Sequence, residues 1–384
     1  MGNLMLTVGG LWGTIIGWFQ SFLPSFGLTI IIFTIALKLV LSPLEIYQKI
    51  SSKKTAEKQA ILQPKLEKLQ KQYGNNKELL NQKTMELYKK ENFNVMGSCL
   101  GMLINLIITI VVFFTLFSSL NQISQYNIKT EYEQLTTKYS QVVKEKLTEE
   151  ATNNSITINA DDTIKTIIEK INASSLTDEE KENLISTSKT FAKKETANYY
   201  GEIKEGFLWI KNIYRPDTYA STFPNGEEYI KTTNTNLSEF NEENKFVDVY
   251  GNEYSTQTEI KEKFIEQFND ITGDINQIYS GWNGWLILVV LSAGITVLSL
   301  LLANLGNKPK PQYDKKGNEI QVKKPNNTLM MVLLPVLMLV FTLQYSAAFA
   351  LYIVMNSLMS VLIGFVTTLV MNKIEKSKEK KKGV

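Results

Sequence analysis

Long apolar blocks alternate with strongly polar stretches along this chain. The apolar blocks occupy 26–44, 97–120, 281–305 and 328–371. At ~1.5 Å per helical residue, a hydrocarbon core of ~30 Å needs about 20 residues. The last block is too long for one crossing, so it divides into 328–344 and 347–371 at a tight turn around Gln344, Tyr345 and Ser346. The pattern predicts an all-α polytopic membrane protein with five transmembrane helices: TM1 26–44, TM2 97–120, TM3 281–305, TM4 328–344 and TM5 347–371.

The polar stretches carry their own periodicity. In residues 1–25, Trp12, Ile15, Ile16, Phe19, Phe22 and Leu23 recur at helical spacing before Pro24 and Gly27 break the chain. This predicts an amphipathic helix on the outer membrane surface. Residues 45–92 are rich in Lys, Glu, Gln and Leu and are interrupted at QYGNNKE, 72–78. Ile61, Leu62, Leu66 and Leu69 stripe the first arm, and Leu79, Leu80 and Leu87 the second. A cytoplasmic helical hairpin follows from that pattern. Residues 121–280 are rich in Asn, Thr, Glu and Tyr with broken amphipathic runs. They predict a mostly helical outer insertion, with a helix start in the Ser175–Glu180 run. A loop at 306–327 and a basic tail at 372–384 complete the chain.

Charge orients these segments. Residues 45–92 hold 11 Lys against 6 Glu, whereas 121–280 hold 17 basic against 28 acidic groups. The loop at 306–327 and the tail each hold 6 Lys against 2 acids. By the positive-inside rule the basic segments belong in the cytoplasm. The N-terminus is then outside and the C-terminus inside a plasma membrane. The lysine excess of the hairpin suits anionic lipid headgroups, ribosomal RNA or acidic nascent chains.

The chain has no histidine and one cysteine, Cys99. That excludes His-based triads, His-ligated metals, an internal disulfide and a Cys-rich zinc site. No enzyme, metal or cofactor is expected, and Cys99 reads as a small packing residue. Forty lysines accompany one arginine, Arg215.

Candidate chemistry lies inside the apolar blocks. Thr34, Lys38 and Ser42 are spaced by four on TM1, Asn105 and Thr109 on TM2, and Tyr352, Asn356, Ser360, Gly364 and Thr368 on TM5. Each series forms one helix face. Polar faces avoid lipid and turn toward one another or toward water. Together they predict a wet, positively charged cavity around Lys38. Taken alone, Lys38 also suits a lysine snorkelling along the helix toward the cytoplasmic interface, past Glu45.

These features resemble the YidC/Oxa/Alb family of membrane-protein insertases. TM1, the Lys-rich hairpin and NVMGSCLGMLIN (94–105) are similar to the family's first span, coiled-coil hairpin and entry to span two. GFLWIKNIYRPDT (206–218) resembles its F-L-W-I loop, and LLPVLMLVFTLQYSAAFALYIVMNSLMS (333–360) its final hairpin. The resemblance implies a hydrophilic groove with a positive residue at Lys38, a threonine one turn earlier at Thr34 and a substrate-contacting aromatic at Tyr352. It also implies an insertase and chaperone for nascent membrane proteins. Such a protein works without ATP, alone or with the Sec translocon, and meets ribosomes and anionic lipids; no DNA partner is expected.

The chain departs from the family pattern in several places. Lys38 replaces an arginine, Gly101 and Asn105 stand at the usual Pro and Gln, and Tyr345 at a proline. The insertion at 121–280 has no assigned role. Two other readings remain: a surface receptor or adhesion protein acting through the acidic ectodomain, and a channel or transporter.

Overall fold

A computed structural model describes residues 8–91, 93, 95–306, 312–313, 319–320 and 328–382. The side chains of Cys99 and Asn105, the surroundings of Gly101, residues 1–7 and most of 306–327 lie outside the described residues. In chain order the helices are α1 (Gly10–Gln20), α2 (Phe26–Tyr73), α3 (Lys77–Lys90), α4 (Val95–Asn153), α5 (Ile164–Asn172), α6 (Asp178–Ile203), α7 (Gly226–Thr233), α8 (Gln257–Ile278), α9 (Ile287–Gly306), α10 (Thr328–Gln344) and α11 (Ala347–Lys382). The described strands are two-residue pieces. β1 (Phe246–Val247) pairs with β2 (Glu253–Tyr254), and β3 (Gln312–Tyr313) with β4 (Glu319–Ile320), both antiparallel.

The chain forms two compact units. One comprises 1–27, 119–287 and 343–349; the other comprises 28–118, 288–342 and 350–384. The first holds the acidic insertion. Its core is aromatic: Tyr132 stacks on Phe268 at 4.5 Å between ring centroids, and Phe268 on Phe223 at 5.9 Å. Helix α6 opens with a reciprocal cap. The Thr177 hydroxyl accepts from the Glu180 amide, and the Glu180 carboxylate accepts from the Thr177 amide at 2.8 Å. These bonds satisfy two of the donors that every helix start leaves open, at the place where the Ser175–Glu180 run predicts a start.

The F-L-W-I segment is held in this unit by a buried polar network. Asn212 donates from Nδ2 to the Glu131 carboxylate at 2.9 Å, and Asn283 donates from Nδ2 to the carbonyls of Asn212 and Pro216. Burial pushes the Glu131 carboxyl up to about 8; the Asn212 bond, Arg215 and Lys204 oppose the rise, and Glu205 adds to it. Arg215 is fully buried, and its guanidinium pairs with Glu228 at 2.7 Å. The carbonyls of Arg215 and Ile213 accept from the amides of Ala347 and Ala348 at 2.8 and 3.0 Å. Backbone donors at the start of α11 are thereby satisfied. The lone arginine thus belongs to the anchoring of this loop.

The second unit contains most of the apolar helices. Three described helices are long and apolar enough to cross a membrane, within Phe26–Thr55, Leu106–Asn153 and Ala347–Ile374; Ile287–Leu302 and Val332–Gln344 are shorter apolar stretches. Many of their apolar side chains are exposed, among them Ile107, Val111 and Phe114 on α4, Val332, Val336 and Val340 on α10, and Phe365, Val366 and Leu369 on α11. A helix surface that is both apolar and exposed suits lipid, because the backbone polar groups are already paired internally. Helix α2 continues without a break from its apolar part to Tyr73. The chain then turns, Asn76 caps α3 by accepting from the Leu79 amide at 3.1 Å, and Lys65 meets Glu91 at 2.5 Å. That ion pair joins the far end of α3 back to the middle of the preceding arm, so the two arms fold back on each other.

Candidate functional site

The polar residues of α2 and α11 meet in the second unit. On α2, Thr34 is fully buried and Lys38 is 6% exposed, alongside buried Ile30 and Phe33. On α11, Tyr352 is buried and Asn356 and Ser360 are half-buried. The Lys38 ammonium donates to the Ser360 hydroxyl at 2.7 Å and to the Glu45 carboxylate at 2.5 Å. A single lysine therefore ties two helices together and holds a counter-ion on its own helix.

The other predicted residues behave differently. The Thr34 hydroxyl donates to the Ile30 carbonyl at 2.6 Å, one turn back on its own helix. Ser42 donates to the Leu39 carbonyl at 2.8 Å. That carbonyl lies four residues before Pro43, which has no amide hydrogen to offer it. The serine thus repairs a helix bond that the proline removes. Thr109 is exposed, and the Asn105 side chain lies outside the described residues. Among the eight sequence-predicted residues, the described contacts bring Lys38 and Ser360 together directly.

Sequence reasoning treated Glu45 as a distance marker for a snorkelling lysine and missed it as a partner. The signal was present. Seven residues are nearly two helical turns, so Lys38 and Glu45 share a face about 10 Å apart along the axis. Both side chains are long enough to close that gap. Glu45 and Ser360 also line a cavity of about 650 Å³. Its further lining includes Gln48, Lys49, Ser52, Lys53, Thr367 and Thr368. Lys49 donates to the Gly364 carbonyl, another contact between α2 and α11. A pocket with this lining offers cationic and hydroxyl donors to a polar or acidic chain. Among the described residues no cluster of three or more His, Cys, Asp or Glu could hold a metal ion.

Comparison with known proteins agrees with the motif resemblance. Residues 18–180 match the family described as 60Kd inner membrane protein. The chain is similar to the membrane protein insertase YidC of Fusobacterium nucleatum subsp. nucleatum, 41% identical over 101 residues, which are 26% of this chain and 47% of the relative. It is similar to the YidC of Caldanaerobacter subterraneus subsp. tengcongensis, 36% identical over 104 residues, 27% of this chain and 48% of that one. The YidC of Shewanella sp. strain ANA-3 is 37% identical over 123 residues, 30% of this chain and 22% of the relative. The chain spans about half the length of the first two of these relatives and 22% of the third. Over these segments the chain is similar to the 60Kd inner membrane protein family and to proteins named membrane protein insertase YidC, and three of its described helices are long and apolar enough to cross a membrane.

Proposed function

We propose that this protein is a membrane-protein insertase and chaperone that receives nascent membrane proteins in a positively charged groove. The observation that carries the reading is Lys38, 6% exposed among apolar side chains and joined to Ser360. Its partners Glu45 and Ser360 line the polar cavity, so the charge is held beside an opening that a polar chain can enter. The named relatives support the same activity.

In this reading the groove is lined by Thr34, Lys38, Ser42, Asn105, Thr109, Tyr352, Asn356 and Ser360. The chain crosses the membrane five times, at 26–44, 97–120, 281–305, 328–344 and 347–371. Its N-terminus and the insertion lie outside, and the 45–92 hairpin and the tail lie in the cytoplasm, where lysines meet ribosomes and anionic lipid headgroups. A polar cargo tail enters the groove and travels a shorter distance through hydrocarbon. Lys38 gives it a transient Coulomb partner while the following apolar segment slides into lipid. No nucleotide is consumed, and the Sec translocon serves as an optional partner.

The test is insertion of a single-span protein with a short acidic N-tail into liposomes holding only this protein, scored by protease protection of the tail. Protection above that of empty liposomes is expected. Lys38→Ala and Lys38→Glu should reduce it, and Lys38→Arg should retain it. Equal activity in all three would remove the charge role. No protection by folded wild-type protein would count against autonomous insertase activity.

A further inference from the structure

We infer that Glu45 is a built-in, exchangeable counter-ion of Lys38, which sets how strongly the groove selects acidic cargo segments. The identity of the cargo rests on the insertase reading above; the charge exchange rests on the pair itself.

The two partners differ in access. The Lys38 side chain is 8% exposed and the Glu45 side chain 27%. The cation is therefore enclosed, whereas its carboxylate keeps an exposed side. Lys38 is also held by Ser360 at 2.7 Å, on a different helix from Glu45. That second bond keeps the ammonium in place when Glu45 leaves. Glu45 and Ser360 both line the 650 Å³ cavity, so an incoming side chain reaches the lysine's partners from there. The same cavity carries Lys49, Lys53, Gln48 and Thr368, which offer a displaced Glu45 polar surroundings.

The energetics favour exchange over simple capture. An enclosed ammonium with no counter-ion is strongly destabilised, and removing one member of such a pair leaves that penalty uncompensated. Glu45 removes it in the absence of cargo. A cargo carboxylate replaces one ion pair with another of the same chemistry, so the swap is close to balanced. A neutral tail has no group to offer Lys38 and leaves Glu45 where it is. Glu45 thus competes intramolecularly, at high effective concentration, with every acidic segment that enters. It lowers affinity for acidic cargo without changing affinity for neutral cargo.

The test uses the full chain in nanodiscs and two fluorescent single-span peptides that differ only in carrying two Asp or two Asn in the N-tail. Binding is read by anisotropy as the ratio of the two affinities. Wild type should prefer the acidic peptide modestly. Glu45→Gln should raise that ratio about tenfold, the scale of one charge-assisted hydrogen bond. The double variant Lys38→Met with Glu45→Met leaves no unpaired charge, and its ratio should fall to about one. An unchanged or lowered ratio in Glu45→Gln overturns the inference, as does a double variant that keeps the wild-type preference. If Glu45→Gln does not fold, Glu45→Asp decides: its carboxylate is one methylene shorter and reaches Lys38 less well, so the same rise in the ratio is expected, and no rise overturns the inference. Liposome insertion by the same proteins separates the two ideas. The expected binding pattern without insertion would leave the counter-ion role standing and remove the insertase reading. Insertion with an unaltered binding ratio would do the reverse.

Discussion

Glu131 makes the insertion-bearing unit sensitive to pH in an unusual direction. It lies on α4 beyond the apolar stretch, is 5% exposed, and accepts from Asn212 at the heart of the network that holds the F-L-W-I loop. Burial raises its folded value from 4.5 to about 8, with Glu205 adding to the rise and Arg215 and Lys204 opposing it. Between those values the folded state binds a proton that the unfolded chain has lost. Stability therefore falls as pH rises through this window and levels off above about 8. At about 1.4 kcal/mol per unit, the whole window amounts to about 5 kcal/mol, of which roughly 2 kcal/mol falls between pH 6 and 8. Glu131→Gln keeps the size and an acceptor for Asn212 but cannot ionise. It should cost about 1 kcal/mol at pH 5 through an altered hydrogen bond and should exceed wild type in stability at pH 8. The assay is hydrogen–deuterium exchange of residues 205–217 in the detergent-solubilised protein, corrected for intrinsic base catalysis. Wild-type protection should drop between pH 6 and 8 while the variant's stays flat. Parallel pH profiles, or wild-type protection that grows with pH, would refute the reasoning.

Other substitutions probe the packing. A Cβ on Gly284 would lie 1.8 Å from Asp217 Oδ1 and 2.9 Å from its Cα, so Gly284→Ala must displace the carboxylate that accepts from the Trp285 amide. A loss of about 2 kcal/mol in thermal or denaturant unfolding is expected; an unchanged melting temperature would show that the approach is not this close. Phe268→Ala removes the ring that stacks on both Tyr132 and Phe223 and should cost about 3–5 kcal/mol. Thr177→Ala deletes the cap of α6 and should cost about 1 kcal/mol, read as faster exchange in the first turn of that helix. Lys65→Ala breaks an ion pair whose side chains are 47% and 31% exposed, so stability should change by under about 1 kcal/mol and the difference should vanish in high salt.

The apolar blocks, the helical insertion and the helix start near Thr177 were legible because each depends on local sequence. Hydrophobic runs need only counting against bilayer thickness, and a capping box is complete within four residues. The predicted polar stripes were read the same way, and here local reading reached its limit. Periodicity places Thr34, Lys38 and Ser42 on one face, but it does not say what each side chain bonds. Thr34 and Ser42 turn to carbonyls of their own helix, and Thr109 is exposed. The local repair by Ser42 was readable from the Ser-Pro pair at 42–43; the threonine's choice was not, because a hydroxyl bonds equally well to its own turn or to a neighbour.

What the sequence determined by itself was the alternation of lipid-compatible helices with charged segments, the sign of each segment's charge, and the presence of one lysine in an apolar run. A helix closes its backbone hydrogen bonds within itself, so an apolar segment that forms one is compatible with lipid. Tertiary structure decided which partners meet across distance. Ser360 lies 322 residues from Lys38, Asn212 lies 81 from Glu131, and the carbonyl of Arg215 receives the amide of Ala347. These contacts depend on packing between helices and loops, a property of the folded chain that no local window contains. Burial then sets their energies, turning a lysine, a carboxyl and a lone arginine from ordinary surface residue types into the groups on which the candidate groove and the loop anchor depend.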